Sequence, residues 1–321
     1  MPAPRPGHTA AGLAAIAVLM SCAIGLARVR DAAYPVPPVN DETLYLTSPR
    51  SAGRLALEFR TLAADLYWIR SLQYFGGIQR AHREGPLPAE GAQEAGIEAG
   101  KAEYQQLYPL LNLTTSLDPY FNLAYRFGAI FLSEAPPAGP GRPDLAIKLL
   151  EKGLQYRPDK WEYMQDIGFV HYWWNHDYHA AAAAFEKAGQ VPGAPWWLRS
   201  LAATTLAQGG DRRSSRTMWL HVRATAEIDW LRQSADRALA QLDALDRIDQ
   251  LQALVDRHQR ETGLPVTSWT PLIDARRLPG IPLDPSGTPY ELSFAGRVQV
   301  STRSSLFPLP KEPGAYTSPG P

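Results

Sequence analysis

Three segment ends constrain this chain most: "SLDP" at 116–119, "YRPD" at 156–159 and "QVPG" at 190–193. Pro158 and Pro192 lie 34 residues apart. Pro119 and Pro158 lie 39 apart, with the Pro/Gly-rich "EAPPAGPGRP" of 134–143 between them as an insertion. Read backwards from each end, a pattern recurs. Ala146, Leu150, Gly153 and Pro158 stand at offsets 0, 4, 7 and 12, and so do Leu107, Leu111, Thr114 and Pro119. Ala181, Phe185 and Ala188 repeat offsets 0, 4 and 7, with Pro192 one residue early, and Ser215, Trp219 and Val222 repeat them again. Offsets of 4 and 7 share one helix face. Small residues there let two helices approach, a large one fills the gap between neighbouring units, and proline stops the helix.

This pattern resembles the tetratricopeptide repeat (TPR), a helix–turn–helix unit of the same period. The resemblance covers 101–226 well and 60–84 loosely. The glycine of the first helix stands as Gly128 and Gly168, with Ala203 in its place in the next unit. Asp177-Tyr178 match the turn, and Gly210-Asp211 fall in the next one. The resemblance implies a mainly α fold, an α-solenoid of helical hairpins whose first helices line a concave face. Tyr125, Tyr172, Trp173, Trp196 and Trp197 lie on or near those helices. Most of them are expected in the core, with a few as anchors for a protein partner.

The stretch "HYWWNHDYH" at 171–179 holds His171, His176, Asp177 and His179. Imidazole and carboxylate are ligands for zinc, copper or nickel. In register with the repeat, His176 and His179 fall at an inter-helix turn and His171 near the end of the preceding helix. The expected reading is exposed turn histidines beside packed Tyr172, Trp173 and Trp174. A three-histidine metal or ligand site is the alternative.

Upstream, Ser48-Pro49 reads as a helix start. Helical spacing then runs through Leu55, Phe59, Leu62, Leu66, Ile69 and Leu72. Asp65 sits inside this apolar run. A buried carboxylate needs a partner, which Arg70 or Arg126 would supply as a structural ion pair. The sharper alternative is recognition of a peptide or lipid head group. Together with "LDPYF", "FGAIFL" and "GFVHYWW", the run resembles a bacterial TPR-like family of anchored proteins. Residues 86–100 read as a polar, Gly-rich loop.

Residues 9–27 carry no charge, and Arg28 and Arg30 close them. At 1.5 Å per residue they make about 28 Å of helix, the thickness of a hydrocarbon core. Residues 1–30 are therefore expected to be a transmembrane anchor or an export signal, followed by a Pro-rich linker at 31–47. "LMSC" at 19–22 resembles the bacterial lipobox, which would make Cys22 a lipidation site. Met20 and the apolar "AIGLA" after Cys22 depart from that pattern. Basic residues flank both ends, so charge does not orient the segment. A short leader before a large domain favours an inner-membrane protein with its soluble domain outside the cytoplasm.

After the repeats at 48–226, residues 227–262 are charged and carry an apolar stripe of Leu239, Leu242, Leu245, Ile248, Leu251 and Val255. They are expected to cap the solenoid. Gly263 ends the helix. In 263–310, "DPSG" is a turn signal. Tyr290, Leu292 and Phe294 alternate, and so do Val298 and Val300, which predicts a small β-hairpin. The run Asp284 to Tyr290 resembles the Asp-Pro-x-Gly-x-Pro-Tyr segment of type II secretion pseudopilins. The acidic calcium loop of that family is not evident after it. Residues 311–321 read as a disordered tail.

Composition narrows function. Lys+Arg and Asp+Glu balance at 32 each, which leaves no electrostatic footprint for nucleic acid. The one cysteine, Cys22, excludes disulfides and thiolate cages within the chain. The 29 prolines are too many for a plain helical bundle. No GxSxG, P-loop, HExxH or strand-linked GxGxxG is present. The expectation is a non-enzymatic membrane-tethered interaction scaffold without a cofactor, a candidate assembly factor for a type IV pilus or type II secretion-like envelope machine. A cytoplasm-facing adaptor is a further alternative.

Overall fold

A computed structural model describes residues 6–33, 48–84 and 103–313. Of the expected linker at 31–47, residues 31–33 belong to a helix and 34–47 lie outside the described residues, as do the loop at 86–100 and, of the expected tail at 311–321, residues 314–321. The chain divides into two units, Met1–Tyr45 and Leu46–Pro321.

Among its described residues the first unit holds one helix, α1 (Pro6–Ala33). From Ile16 to Leu26 every side chain described is exposed, Cys22 among them. Among the described residues no helix is long and apolar enough to cross a membrane. The structure therefore does not support the expected transmembrane span. The uncharged run 9–27 begins upstream of the side chains it describes.

The second unit is mainly helical. It opens with α2 (Pro49–Ala56), α3 (Arg60–Glu84) and α4 (Leu107–Leu117). Next come α5 (Asn122–Ser133), α6 (Pro143–Tyr156) and α7 (Trp161–Val170), the last running into a π-helical turn at His171–Asn175. The array continues with α8 (Tyr178–Gly189), α9 (Trp197–Gln208), α10 (Arg212–Thr225), the 34-residue α11 (Asp229–Thr262) and the short α12 (Thr270–Asp274). From α3 to α11 each helix packs on the next, and α5 also touches α7. The result is a row of hairpins, α3–α4, α5–α6, α7–α8 and α9–α10, stacked in chain order.

The repeat positions build this core. Leu107, Leu111 and Thr114 are buried, as are Ala146, Leu150 and Gly153, Ala181, Phe185 and Ala188, and Ser215, Trp219 and Val222. Neighbouring helices come close because one of each pair offers no side chain at the crossing. A Cβ on Gly128 would lie 2.9 Å from Leu111, one on Gly153 2.8 Å from Tyr163, and one on Gly168 2.4 Å from the Phe185 ring. The turn aspartates are helix caps. Asp177 accepts from Ala180 N at 2.9 Å and Asp211 from Ser214 N at 2.9 Å, each satisfying an amide that the helix leaves without a partner.

The helix expected from Ser48 onward is broken. Ser48 caps α2, with Pro49 in its first turn. The chain then turns at Leu57, whose φ is +48°. The apolar stripe from Leu55 to Leu72 is exposed, and α3 instead buries Ala64, Ser71 and Tyr74.

The far end is closed. The first half of α11 packs its leucines against Trp219 and Val222 of α10. Its second half, with Leu251 and Val255, packs against Val266, Trp269, Leu272, Tyr290 and Val298 of the tail. Strands β1 (Glu291–Leu292) and β2 (Val298–Gln299) pair antiparallel, with Leu292 opposite Val298. Phe294, expected in the strand, is at the tip and fully exposed. Gly296, at φ +71°, donates to Ser293 O and supplies the left-handed residue that a three-residue hairpin loop needs. The tail thus folds back on the last helix as a cap.

Gly168→Ala should drive a methyl into the buried Phe185 ring and cost ~1–3 kcal/mol, net of the helix propensity it gains. Gly76→Ala, where nothing lies within 4 Å, should be neutral or stabilising. Urea midpoints of the two variants test this. Equal midpoints would show that the close approach at Gly168 does not hold the hairpin together.

Candidate functional site

The first helices of the hairpins carry apolar side chains that the core does not use. On α5 and the turn before it, Tyr120, Leu123, Phe127 and Ile130 follow helical spacing and are all exposed. Their opposite neighbours, Ala124, Tyr125, Gly128 and Leu132, are buried. Arg126 lies on the same helix and grips Asp166 of α7 with two bonds, Nε to Oδ2 at 2.6 Å and Nη2 to Oδ1 at 3.0 Å. Burial pushes the Asp166 carboxyl up, and the guanidinium opposes that shift. Such a pair fixes the register of two adjacent first helices more than it stabilises them.

Further along, the Trp196 and Trp230 rings meet edge to face at 4.9 Å, both about half exposed. They stand at the starts of α9 and α11. Trp197 is also exposed, at 36%. Trp173, in the π-helical turn, is 60% exposed and edge-on to Tyr172.

The expected anchor residues therefore separate. Trp173, Trp196 and Trp197 face solvent. Tyr172 is half-buried and donates to Gln208 Oε1 at 2.7 Å. Tyr125 is wholly buried against Tyr163, with its hydroxyl directed to Thr115 O at 3.4 Å. It is core and not an anchor, because the close approach at Gly153 encloses it. Asp65 is exposed, which removes the need for a buried ion pair. Arg126, one of the partners expected for it, belongs to Asp166.

The three histidines do not form a ligand set. His171 is half-buried beside Asn175, whereas His176 and His179 are exposed. His176 ends the π-helical turn at φ +52°. His179 lies 3.7 Å from Asp211 in a cleft that also includes Glu186, Arg213 and Thr217. Asp211 is held below the usual carboxylate range chiefly by the Ser214 backbone amide. Among the described residues no group of three or more His, Cys, Asp or Glu side chains is placed to hold a metal ion.

Two features were not foreseen from the sequence. Trp230 follows Trp196 by 34 residues, so the repeat period itself pointed to it. Lys152 of α6 had no such signal. Its ammonium reaches the last turns of α4 and meets Asn112 O, Asn112 Oδ1, Thr115 Oγ1 and Ser116 Oγ at 2.7–2.9 Å. A helix C-terminus favours a cation. Burial nonetheless lowers Lys152 to about 8.

A lysine that holds its proton less tightly when folded weakens the folded state below the unfolded pKa. That penalty fades as pH rises through the folded value. Stability should therefore rise from pH 8 to about 9, before the unfolded tyrosines, with an ordinary pKa of about 10, ionise. Lys152→Met should flatten that rise, as read by urea midpoints of both proteins across the window. An unchanged slope would mean that Lys152 titrates alike in both states.

No family model matches the chain, and no curated protein or solved structure matches it.

Proposed function

We propose that this protein is a non-enzymatic, membrane-tethered interaction scaffold in which a TPR-like hairpin stack presents its first helices to an extended protein segment. One observation carries the reading: large apolar side chains on the first helix α5, at the start of the first helix α9 and at the start of α11 are left in water. Tyr120, Leu123, Phe127 and Ile130 form one group, and Trp196, Trp197 and Trp230 another. The second helices, in contrast, bury Leu111, Leu150 and Phe185 completely. Exposed apolar area on this scale, ordered by helical spacing, is what a partner covers. The burial of all four sets of repeat positions supports the TPR-like reading of the stack.

The tether is read from α1. Its described apolar side chains, Ile16, Val18, Leu19, Met20, Ile24, Leu26 and Val29, are each more than half exposed and surround the helix. A helix apolar on every side suits hydrocarbon better than water. We read the larger unit as lying outside the cytoplasm, because a short leader precedes a large domain, and the client as a component of an envelope assembly machine. The support for that client is α1 together with the pseudopilin-like segment from Asp284 to Tyr290.

Site-specific photocrosslinking in native membranes tests the reading. Probes at Phe127 and Trp196 should capture one common partner, and a probe at the exposed Lys187 of α8 should not. Phe127→Ala and Trp196→Ala should each weaken capture about tenfold, as expected for losing a buried aromatic contact, without lowering the melting temperature. Uniform labelling at all three positions, or none, would overturn the scaffold reading. Protease added outside spheroplasts should digest the soluble unit, and full protection would place it in the cytoplasm.

A further inference from the structure

The corner between α2 and α3 is built against ordinary economy. Leu55, Leu57, Phe59, Leu62, Leu66 and Ile69 are each 48–72% exposed. On α3, Leu62, Leu66 and Ile69 occupy the side away from Ala64, Ser71 and Tyr74, which pack inward. The turn itself is closed by Phe59 N donating to Ala56 O at 2.8 Å. Leu57 stands at its second position with φ +48° and ψ −119°, the geometry of a type II′ turn. That position takes glycine at no steric cost. A leucine there strains the backbone, and its side chain gains no core contact in return, since it is 72% exposed. Strain without a folding gain points to use elsewhere.

The charges around this corner indicate what it meets. Near the turn stand three arginines, Arg50, Arg54 and Arg60, against two carboxylates, Glu58 and Asp65, and Arg70, Arg80 and Arg83 follow about 15–35 Å further along α3. The chain as a whole is neutral, so this stretch is locally basic. Apolar side chains flanked by arginine are the pattern of a segment lying at an anionic membrane surface. Only 15 residues separate Ala33 of α1 from Pro49 of α2. A bilayer that holds α1 therefore has the corner on a short tether.

The geometry points to the α2–α3 corner as a second membrane contact, with Leu57 and Phe59 inserted at the level of anionic lipid head groups and the arginines on the phosphates. This inference rests on the membrane-tethered reading above. It gives the tether an orientation as well as an attachment, because one end of the hairpin row would lie on the membrane.

The test uses the full-length chain with Cys22→Ser and L57C, labelled with an environment-sensitive dye. Vesicles contain phosphatidylcholine, phosphatidylglycerol and lipids carrying a shallow quencher. Emission at position 57 should fall by about half or more, as for a side chain at the head-group boundary. The same label at F294C, on the distal hairpin, should stay bright. A bright label at position 57 on vesicle-bound protein would overturn this inference and leave the tether intact. With the unlabelled L57C protein, a disulfide between two copies formed under an added oxidant, beside a bright label in the dye experiment, would assign the face to a second copy and overturn it as well.

A second arm separates the corner from α1. Protein disabled in α1 by L19K/I24K should still float with phosphatidylglycerol vesicles and not with phosphatidylcholine alone. Adding F59D should weaken that binding at least about tenfold, from the lost apolar burial. L57G should do the same while melting no lower than the parent, since it relieves the turn. If wild type and L19K/I24K float equally well, the anchor reading fails and the corner stands. If neither floats, both fail.

Discussion

The hairpin row depends on how closely paired helices approach at Gly128, Gly153 and Gly168. At each point the missing Cβ is replaced by a side chain from the opposing helix: Leu111, Tyr163 or Phe185. Packing density inside proteins leaves no slack for an added methyl at such a crossing. The approach has a further effect. Tyr125 and Tyr163 are drawn fully inside, ring against ring at 5.2 Å, and burial pushes both phenols well above their ordinary range. Once these positions are fixed, the outer residues of the same helices have no freedom to turn inward. Phe127 and Ile130 remain in water because Gly128 and Leu132 set the rotation of α5.

The two ends of the row are treated differently. At the C-terminal end, α11 and the tail cover the last hairpin, and polar contacts lock the cover in place. Arg212 of α10 joins Asp246 and Asp249 of α11 and Glu312 of the tail. Gln241 and Arg237 donate to carbonyls between Ser305 and Pro308. Asp284 organises the loop from within. Burial alone would raise its carboxyl, but donors from Ser304, Ser286 and the Ser286 and Thr288 amides hold it below the usual range. Among the described residues the α2–α3 end has no equivalent cover over its apolar stripe. A stacked repeat needs a polar outer face on its terminal unit, and that rule is kept at one end of this chain and broken at the other.

What the sequence made legible follows the same division. The 0, 4, 7 offsets found the buried positions because small–large complementarity leaves a periodic trace. Gly263, the "DPSG" turn and the alternation around Val298 were read from local chemistry and stand where that chemistry needs them. The stripe from Leu55 to Ile69 misled, because periodicity reports which residues share a face and not whether anything covers it. Asp65 failed for the same reason: an apolar neighbourhood in sequence was exposed in space. The aromatic anchors were mixed because type alone cannot separate Tyr125, enclosed at a glycine crossing, from Trp196, left at a helix start.

The two exposed apolar regions differ in chemistry, and that difference argues for two kinds of partner. Around Phe127 and Ile130 the neighbouring charges are largely paired off. Arg126 is bound to Asp166, and Lys160 to Glu162 at 2.6 Å. A surface whose charges are satisfied internally gains its affinity from shape and from apolar burial, which suits a protein segment of defined sequence. The α2–α3 corner has the opposite balance: arginines in excess, leucines without a groove, and a strained turn that lifts two side chains clear of the fold. Such a surface has little with which to read shape, but it can join apolar burial to a field of negative charge.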